Sequence, residues 1–84
     1  MTYAVAILRR AQKELARVPA PAFERICAAV RLLADNPRPT NCRKLVNREG
    51  WRIRVGDYRI IYRVDDETRT VLVLHVGHRR DVYS

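Results

Sequence analysis

The first eighteen residues change from a short apolar run to an amphipathic pattern. Residues 2–8, TYAVAIL, are apolar and partly β-branched, which is typical of a short strand. In the segment from Arg9 to Val18, Ala11 and Leu15 lie with the final valine on one side of a helical wheel, and the charged residues face away. The pattern predicts a strand followed by a helix.

The clearest helical period runs from about Ala20 to Asp35. Its apolar residues recur at intervals of three and four, and they are Phe23, Ile26, Cys27, Val30, Leu33 and Ala34. Pro19 ends the preceding helix, and Pro21 suits the first turn of this one. The sequence Asn36-Pro37-Arg38-Pro39 ends it. The two predicted helices are expected to form a hairpin with a shared apolar side.

Three β-branched and aromatic runs follow, at Trp51–Val55, Tyr58–Val64 and Thr70–Val76. Gly56-Asp57 is predicted to join the first two as a tight hairpin with glycine at its first central position. Residues 65–68 are predicted to turn the second run into the third. The order predicts an α+β fold, β-α-α-β-β-β, with a helical hairpin packed on one face of a mainly antiparallel sheet.

Length limits the chain to one domain, residues 1–84. The longest uncharged apolar run, Val71–Val76, is far too short to cross a bilayer, and no secretory signal pattern opens the sequence. We therefore expect a cytoplasmic protein with no membrane partner.

A strong positive charge points to polyanionic partners. Seventeen Lys and Arg oppose nine Asp and Glu, which gives a formal net charge of +8, and fifteen of the seventeen are arginine. Arginine favours planar contacts with phosphate groups, and net positive charge attracts nucleic acids. Part of this charge, at Arg43, Lys44 and Arg48, falls in a segment that is expected to be a loop.

Arginines are predicted to converge on the open face of the sheet. A two-residue loop at Gly56-Asp57 places Arg54 directly opposite Arg59, and Arg52 shares their face, with Arg63 further along it. Like charges opposite each other destabilise a sheet by roughly 0.2–1 kcal/mol, but an anion between them turns the repulsion into attraction. The pattern indicates a phosphate-binding surface, and the alternative is a solvated outer face.

Cysteine and histidine do not supply a metal site. Cys27 falls on a helical apolar stripe and Cys42 in the predicted loop, where both are expected to be free thiols. His75 is expected to pack within the third run, and His78 to emerge beside the arginine face. Two histidines without a supporting ligand make a weak metal site, so no metal and no other cofactor is expected.

Two segments carry a resemblance to a known family. They are WRIRVGDYRIIYRV at residues 51–64 and VLHVGHRRDVY at residues 73–83, and the helical hairpin, the Asn-Pro break and the Arg-Lys-Leu at 43–45 also match. The chain resembles the RelE family of the RelE/ParE toxin superfamily over almost its whole length. The resemblance implies a metal-independent endoribonuclease that cuts messenger RNA on the ribosome and is neutralised by a small antitoxin. The net charge of +8 predicts that the antitoxin is acidic.

The resemblance also implies roles for individual residues. Arg52 and Arg54 match the family's pair of strand lysines, one of which is the general base, and Arg59 matches the arginine that holds the scissile phosphate. Arg79 matches a proposed general acid, and Tyr83 a tyrosine that stacks on a base. Further RNA contacts are expected from Arg43, Lys44, Arg63 and Arg80.

One departure from the family pattern affects the chemistry. Arginine stays protonated in proteins, so Arg54 is a poor proton acceptor where the family has lysine. The base is therefore expected to be His78, or a group of the ribosomal RNA. Two other functions remain open, namely a ParE-type inhibitor of DNA gyrase and an inactive protein that only binds RNA or antitoxin. The toxin alone is expected to be a monomer that forms a hetero-oligomer with its antitoxin.

Overall fold

The computed structural model describes residues 2–78, which form two helices and one five-stranded sheet. The elements are β1 (Ala4–Ile7), α1 (Arg9–Ala16), α2 (Ala20–Leu32), β2 (Cys42–Lys44), β3 (Trp51–Val55), β4 (Tyr58–Asp65) and β5 (Thr70–His78). The order in the sheet is β1-β5-β4-β3-β2, and the predicted α+β fold is confirmed. No helix in this part of the chain is both long and apolar enough to cross a membrane.

The sheet contains one strand that the sequence did not predict. Cys42–Lys44 was expected to be a loop, but it pairs antiparallel with β3 and places Arg43 beside Arg52. An edge strand is held mainly by backbone pairing along one side, so it does not need an alternating apolar pattern. Its three residues have none, and the sequence therefore did not reveal the strand. At the opposite edge, β1 pairs parallel to β5, from Ala4 beside Thr70 to Ile7 beside Val73.

The core lies between the helices and one face of the sheet. It contains Ala11, Leu15, Ile26, Val30 and Leu33 from the helical half, and Ile53, Ile60, Tyr62, Val71, Val73 and Val76 from the strands. The helix prediction was wrong at two points. Phe23 is 37% exposed rather than buried, and Ala34 follows the end of α2 at Leu32. Cys27 and Cys42 are free thiols.

A buried hydroxyl ties β4 to the segment after α2. The Tyr62 side chain is fully buried, and its hydroxyl donates a 2.7 Å hydrogen bond to the carbonyl oxygen of Pro37. Burial raises the pKa of the Tyr62 phenol, because the charged form would lose its water. The hydroxyl therefore stays protonated and available as a donor.

Tyr62→Phe is expected to lower the free energy of unfolding by about 1–2 kcal/mol, because the Pro37 carbonyl loses its partner in a buried position. Urea unfolding of both proteins measures the difference. Tyr58→Phe makes the same chemical change on a half-buried tyrosine of the same strand, and it should leave stability nearly unchanged. Equal losses in the two variants would contradict a specific role for the Pro37 hydrogen bond.

Candidate functional site

Four arginines meet on the face of the sheet that the helices leave open. Arg43 pairs with Arg52 across β2 and β3, and Arg54 pairs with Arg59 across β3 and β4. The register predicted from the Gly56-Asp57 turn is confirmed. These four side chains and Asn41 line a cavity of about 130 Å³, which we call the arginine pocket.

Strand alternation and a tight turn produce this convergence. Ile53 and Ile60 point into the core, so their neighbours Arg52, Arg54 and Arg59 point the opposite way. Gly56 has φ +60°, which the hairpin requires and glycine adopts without strain. The Arg54 Nε donates a 2.9 Å hydrogen bond to the Gly56 carbonyl oxygen, which holds that side chain beside the turn.

The arginine pocket carries positive charge that the protein itself leaves uncompensated. Within residues 2–78, no carboxylate lies at ion-pair distance from its four guanidinium groups. Partial burial lowers the pKa of Arg52, and the nearby Arg59 and Arg43 lower it further. Each of these causes disfavours the charged form, so an anion in the pocket would relieve the repulsion.

An apolar cluster separates Arg63 from the arginine pocket. Leu45 and Ile61 are buried on the open face with Leu74 packed against them. Arg63 lies on the same face as Arg59, as predicted, but it is about 13 Å further along the strand, four residues at 3.3 Å each. Its Nη1 lies 4.0 Å from Glu49 Oε1. The structure does not bring Arg63 into the pocket.

A bent loop holds Leu45 over the sheet. The Leu45 N–H donates a 3.0 Å hydrogen bond to the carbonyl oxygen of Gly50, and closes the loop between β2 and β3. Gly50 has φ +128°, and a Cβ there would lie 3.1 Å from both Leu45 Cδ1 and the Tyr62 carbonyl oxygen. This position therefore requires glycine.

Lys44 does not join the arginine pocket. It pairs with Trp51, one residue away from the Arg43 pairing, so it faces the helix side of the sheet. Its ammonium lies 5.7 Å from the centroid of the Trp51 ring, and the Arg38 guanidinium carbon lies 5.4 Å from the same centroid. Lys44 was expected to lie in a loop, and the structure places it in β2, on the face opposite the strand arginines.

The expectation that His78 lies beside the arginine face is also wrong. Its ring makes an edge-to-face contact with Tyr58 at a centroid distance of 5.5 Å, and Tyr58 packs against the core on the helix side. The cause is a register shift opposite Ile61 and Tyr62, which places one extra residue in β5. A bulge of one residue reverses the face of every later side chain.

Glu14 holds the end of β5, a role that no sequence pattern indicated. The residue was expected to face solvent, but only 27% of its side chain is exposed. Its Oε1 accepts a 2.9 Å hydrogen bond from the Val76 N–H, and its Oε2 lies 2.6 Å from His75 Nδ1. His75 therefore packs against α1.

Within residues 2–78, no cluster of three potential ligands could hold a metal ion.

An ion pair connects the segment after α2 to the turn between β4 and β5. Arg38 donates hydrogen bonds of 3.2 and 2.8 Å to the two Asp66 oxygens, and the Tyr3 hydroxyl donates one of 2.7 Å to Oδ1. These bonds, from Arg38 first and then Tyr3, lower the pKa of the Asp66 carboxyl below its ordinary value of 3.8. The carboxylate is thus held in its charged form.

The Asp66 interaction should contribute to stability only where the carboxyl is ionised. Because its pKa is depressed in the folded state, the contribution is complete above the ordinary value of 3.8 and is lost as pH falls through the folded value. Asp66→Asn should therefore show a flatter fall of Tm with acidification below about pH 4. Glu67→Gln removes an exposed carboxylate from the same turn, and it should keep the steeper fall. Parallel Tm profiles for Asp66→Asn and the unmodified protein would contradict this.

Three predicted site residues, Arg79, Arg80 and Tyr83, lie outside the described residues. Asn41 was not predicted, because a single amide in a polar segment gives no signal. The structure therefore brings together Arg43, Arg52, Arg54 and Arg59 with Asn41, and it separates Lys44, Arg63 and His78 from them.

Comparison with known proteins assigns the family. The sequence model of one protein family, the ParE toxin of the type II toxin-antitoxin system parDE, matches residues 5–83. The chain belongs to the RelE/ParE toxin superfamily. This toxin is also 39% identical to Toxin RelG of Mycobacterium tuberculosis, in an alignment that covers 99% of this chain and 98% of the relative.

Solved structures of RelE proteins share the fold. The archaeal RelE-RelB complex from Pyrococcus horikoshii OT3 superposes with a TM-score of 0.85 at 28% identity, covering 98% of this chain and all of the other. The toxin-antitoxin complex RelBE2 from Mycobacterium tuberculosis gives 0.84 at 28% identity, covering 94% and 100%. The chain is thus a RelE-like toxin of a type II toxin-antitoxin system.

Proposed function

We propose that this toxin is a metal-independent endoribonuclease that cleaves messenger RNA on the ribosome and so inhibits translation. The observation that carries the proposal is the arginine pocket, which gathers four uncompensated guanidinium groups around one small cavity. Its 130 Å³ is well below the roughly 300–1,000 Å³ of pockets that enclose a small-molecule ligand, which suits a phosphate group better than a whole nucleotide.

The reaction that fits this pocket is internal transesterification of RNA. The ribose 2′-oxygen attacks the adjacent phosphorus and loses its proton, and the bond from phosphorus to the 5′-oxygen breaks. The products are a 2′,3′-cyclic phosphate and a 5′-hydroxyl, whose oxygen gains a proton. Negative charge grows on the phosphoryl oxygens, and Arg52, Arg54 and Arg59 would stabilise it.

The groups lining the arginine pocket are poorly suited to accept the 2′-hydroxyl proton. They are four arginines and one asparagine amide, and none of these is a base at neutral pH. His78, one of the two expected bases, has its ring on the other face of the sheet. We therefore assign the proton acceptor to ribosomal RNA, which would make cleavage depend on the ribosome. Arg79 remains the proposed general acid, and Tyr83 the proposed stacking residue.

Purified toxin, ribosomes programmed with a defined message, and mapping of the new message 5′ ends test this function. Cleavage within the ribosomal A site, with a 5′-hydroxyl on the downstream fragment and in the presence of a metal chelator, is the expected result. The same message without ribosomes should stay intact. A His78→Ala protein should cleave at a nearly unchanged rate, and loss of cleavage in that variant would return the base to His78.

Inhibition of DNA gyrase is the second candidate, because the family model that matches the chain is that of ParE toxins. The convergent arginines favour RNA cleavage, since inhibition of an enzyme by surface contact needs no phosphate-sized cavity. Double-strand DNA breaks with intact messages in expressing cells would support gyrase inhibition. Absence of both effects would support an inactive protein that only binds RNA or its antitoxin.

An acidic antitoxin is the proposed partner, and the proposed location is the cytoplasm, where ribosomes are. The net charge of +8 favours a counter-charged protein that binds the folded toxin and stabilises it. The similar protein of Mycobacterium tuberculosis was solved in a toxin-antitoxin complex, and that of Pyrococcus horikoshii in a RelE-RelB complex. Co-expression with the product of the neighbouring gene should relieve growth arrest, and a toxin that is harmless when expressed alone would contradict the proposal.

A further inference from the structure

A second basic surface lies on the other face of the β2–β3 hairpin. It consists of Trp51, the only tryptophan of the chain, with Arg38 and Lys44 beside its ring, and we call it the tryptophan surface. Trp51 is partly buried and Lys44 is exposed. Because Trp51 and Arg52 are consecutive in β3, the tryptophan surface and the arginine pocket lie on opposite faces of the sheet.

The framework behind the tryptophan surface is fixed. Arg38 is held by its two hydrogen bonds to Asp66, and Tyr62, which pairs with Trp51 in the sheet, is tied to the Pro37 carbonyl oxygen. The indole and the guanidinium group therefore keep their places without a ligand. Binding here would cost little ordering of the protein, apart from the exposed side chain of Lys44.

The local charge is higher than a stabilising cation–π contact requires. One cation over an indole is enough for that contact, but two lie within 6 Å of this ring. Arg38 is paired with Asp66, whereas no carboxylate among the described residues lies at ion-pair distance from Lys44. Across residues 38–54 there are six Lys and Arg and one carboxylate, Glu49. The hairpin is thus basic on both faces, which suits a ligand with regularly spaced negative charges.

We propose that the tryptophan surface binds single-stranded RNA by stacking one unpaired base on Trp51, with Lys44 and Arg38 against the flanking phosphates. Stacking on aromatic side chains and charge contacts to the backbone are the two components of single-strand recognition, and this surface offers both. The inference deepens the proposed function and rests on it for the choice of RNA. The β2–β3 edge would then contact RNA on both faces, with the scissile phosphate on one and a second segment on the other.

An acidic peptide is the competing ligand for the same cations. Carboxylates would pair with Lys44 and Arg38 without using the indole ring, whereas a nucleobase uses the ring and both charges. The single tryptophan makes the two ligands distinguishable, because a stacked base changes the emission of Trp51 directly.

Fluorescence of Trp51 during titration with a single-stranded oligoribonucleotide tests the inference. A strand of the same length and charge without bases is the matched ligand. Both are expected to bind, as measured by the anisotropy of a terminal dye, but only the strand with bases should quench Trp51. Equal emission changes with the two strands, or binding of RNA with no change, would overturn the inference. So would quenching by an acidic peptide when RNA gives none.

Two variants and one control separate stacking from general attraction. Trp51→Leu should weaken binding of the oligoribonucleotide by about tenfold and leave binding of the strand without bases unchanged. Because Trp51 also packs against the core, Lys44→Gln supplies a second variant at an exposed position, and it should reduce the quenching. Arg48→Gln removes one charge from the same hairpin, and it should weaken binding of the oligoribonucleotide and of the strand without bases equally. Equal reductions of Trp51 quenching in Lys44→Gln and Arg48→Gln would count against the inference.

Failure of the inference and failure of the proposed function give different results. The double variant Arg54→Gln/Arg59→Gln should lose message cleavage on ribosomes and keep the quenching of Trp51 by RNA. If the unmodified toxin cleaves message but RNA never affects Trp51, the inference alone fails. If RNA quenches Trp51 but no message is cleaved, the proposed nuclease function alone fails.

Discussion

Arg59→Gln is expected to slow cleavage of ribosome-bound message by about 10²–10³-fold, the usual cost of removing one preorganised donor from a developing anion. Arg59 lies on β4, directly across from Arg54 on β3, so it can approach a bound phosphate from the side opposite β2. Single-turnover rates on programmed ribosomes measure the effect. The loss should appear in the chemical step rather than in ribosome binding, which many other cations support.

The same substitution should leave the fold equally stable or slightly more stable. Arg59 and Arg54 are like charges paired directly across two strands, an arrangement that costs roughly 0.2–1 kcal/mol. Arg25→Gln, which removes a charge from the exposed side of α2, is the control and should keep the full cleavage rate. A cleavage rate for Arg59→Gln within threefold of the unmodified toxin would contradict the proposed site, and so would a large drop in unfolding free energy.

Gly50→Ala is expected to destabilise the toxin by about 2–3 kcal/mol, because the backbone there is confined to a conformation that costs other residues roughly 1–3 kcal/mol. The added Cβ would also meet Leu45 Cδ1 and the rigid Tyr62 carbonyl oxygen at 3.1 Å, so the loop over Ile61 must shift. At about 4–8 °C per kcal/mol for a domain of this size, Tm should fall by about 8–24 °C.

Gly56→Asn is the matched control for Gly50→Ala. Gly56 has φ +60°, which asparagine tolerates, and nothing lies within 4 Å of a Cβ placed there. The unfolding free energy of the Gly56→Asn variant should differ from that of the unmodified toxin by less than about 1 kcal/mol. Equal destabilisation by the two substitutions would show that the positive φ that both glycines share, rather than the crowded position of Gly50, is responsible.

The convergence of the strand arginines was predictable from the sequence. Gly56-Asp57 sets a two-residue turn, the turn sets the register, and alternation then places Arg52, Arg54 and Arg59 on one face. Each step depends only on neighbouring residues. The helical hairpin was predictable for the same reason, because its apolar spacing is local.

The errors arose where the face of a side chain depends on distant parts of the chain. Lys44 was expected in a loop, because β2 becomes a strand only by pairing with β3. His78 was misplaced because a regular strand would put it on the arginine face, and the extra residue of β5 near Leu74 reverses it. No sequence signal marks that bulge. Glu14 was missed because its carboxylate is needed only where β1 ends and leaves the edge of β5 open.

The Glu14 contact also affects how the toxin can associate with itself. An open strand edge invites another extended chain to add to the sheet. Past Ile7, the Val76 N–H that such a chain would need is already taken by the Glu14 side chain, which His75 holds in place. A stray strand would have to break both interactions before it could pair there. The Glu14 carboxylate thus hinders the addition of a strand from another molecule to the exposed edge of β5, although β1 ends at Ile7.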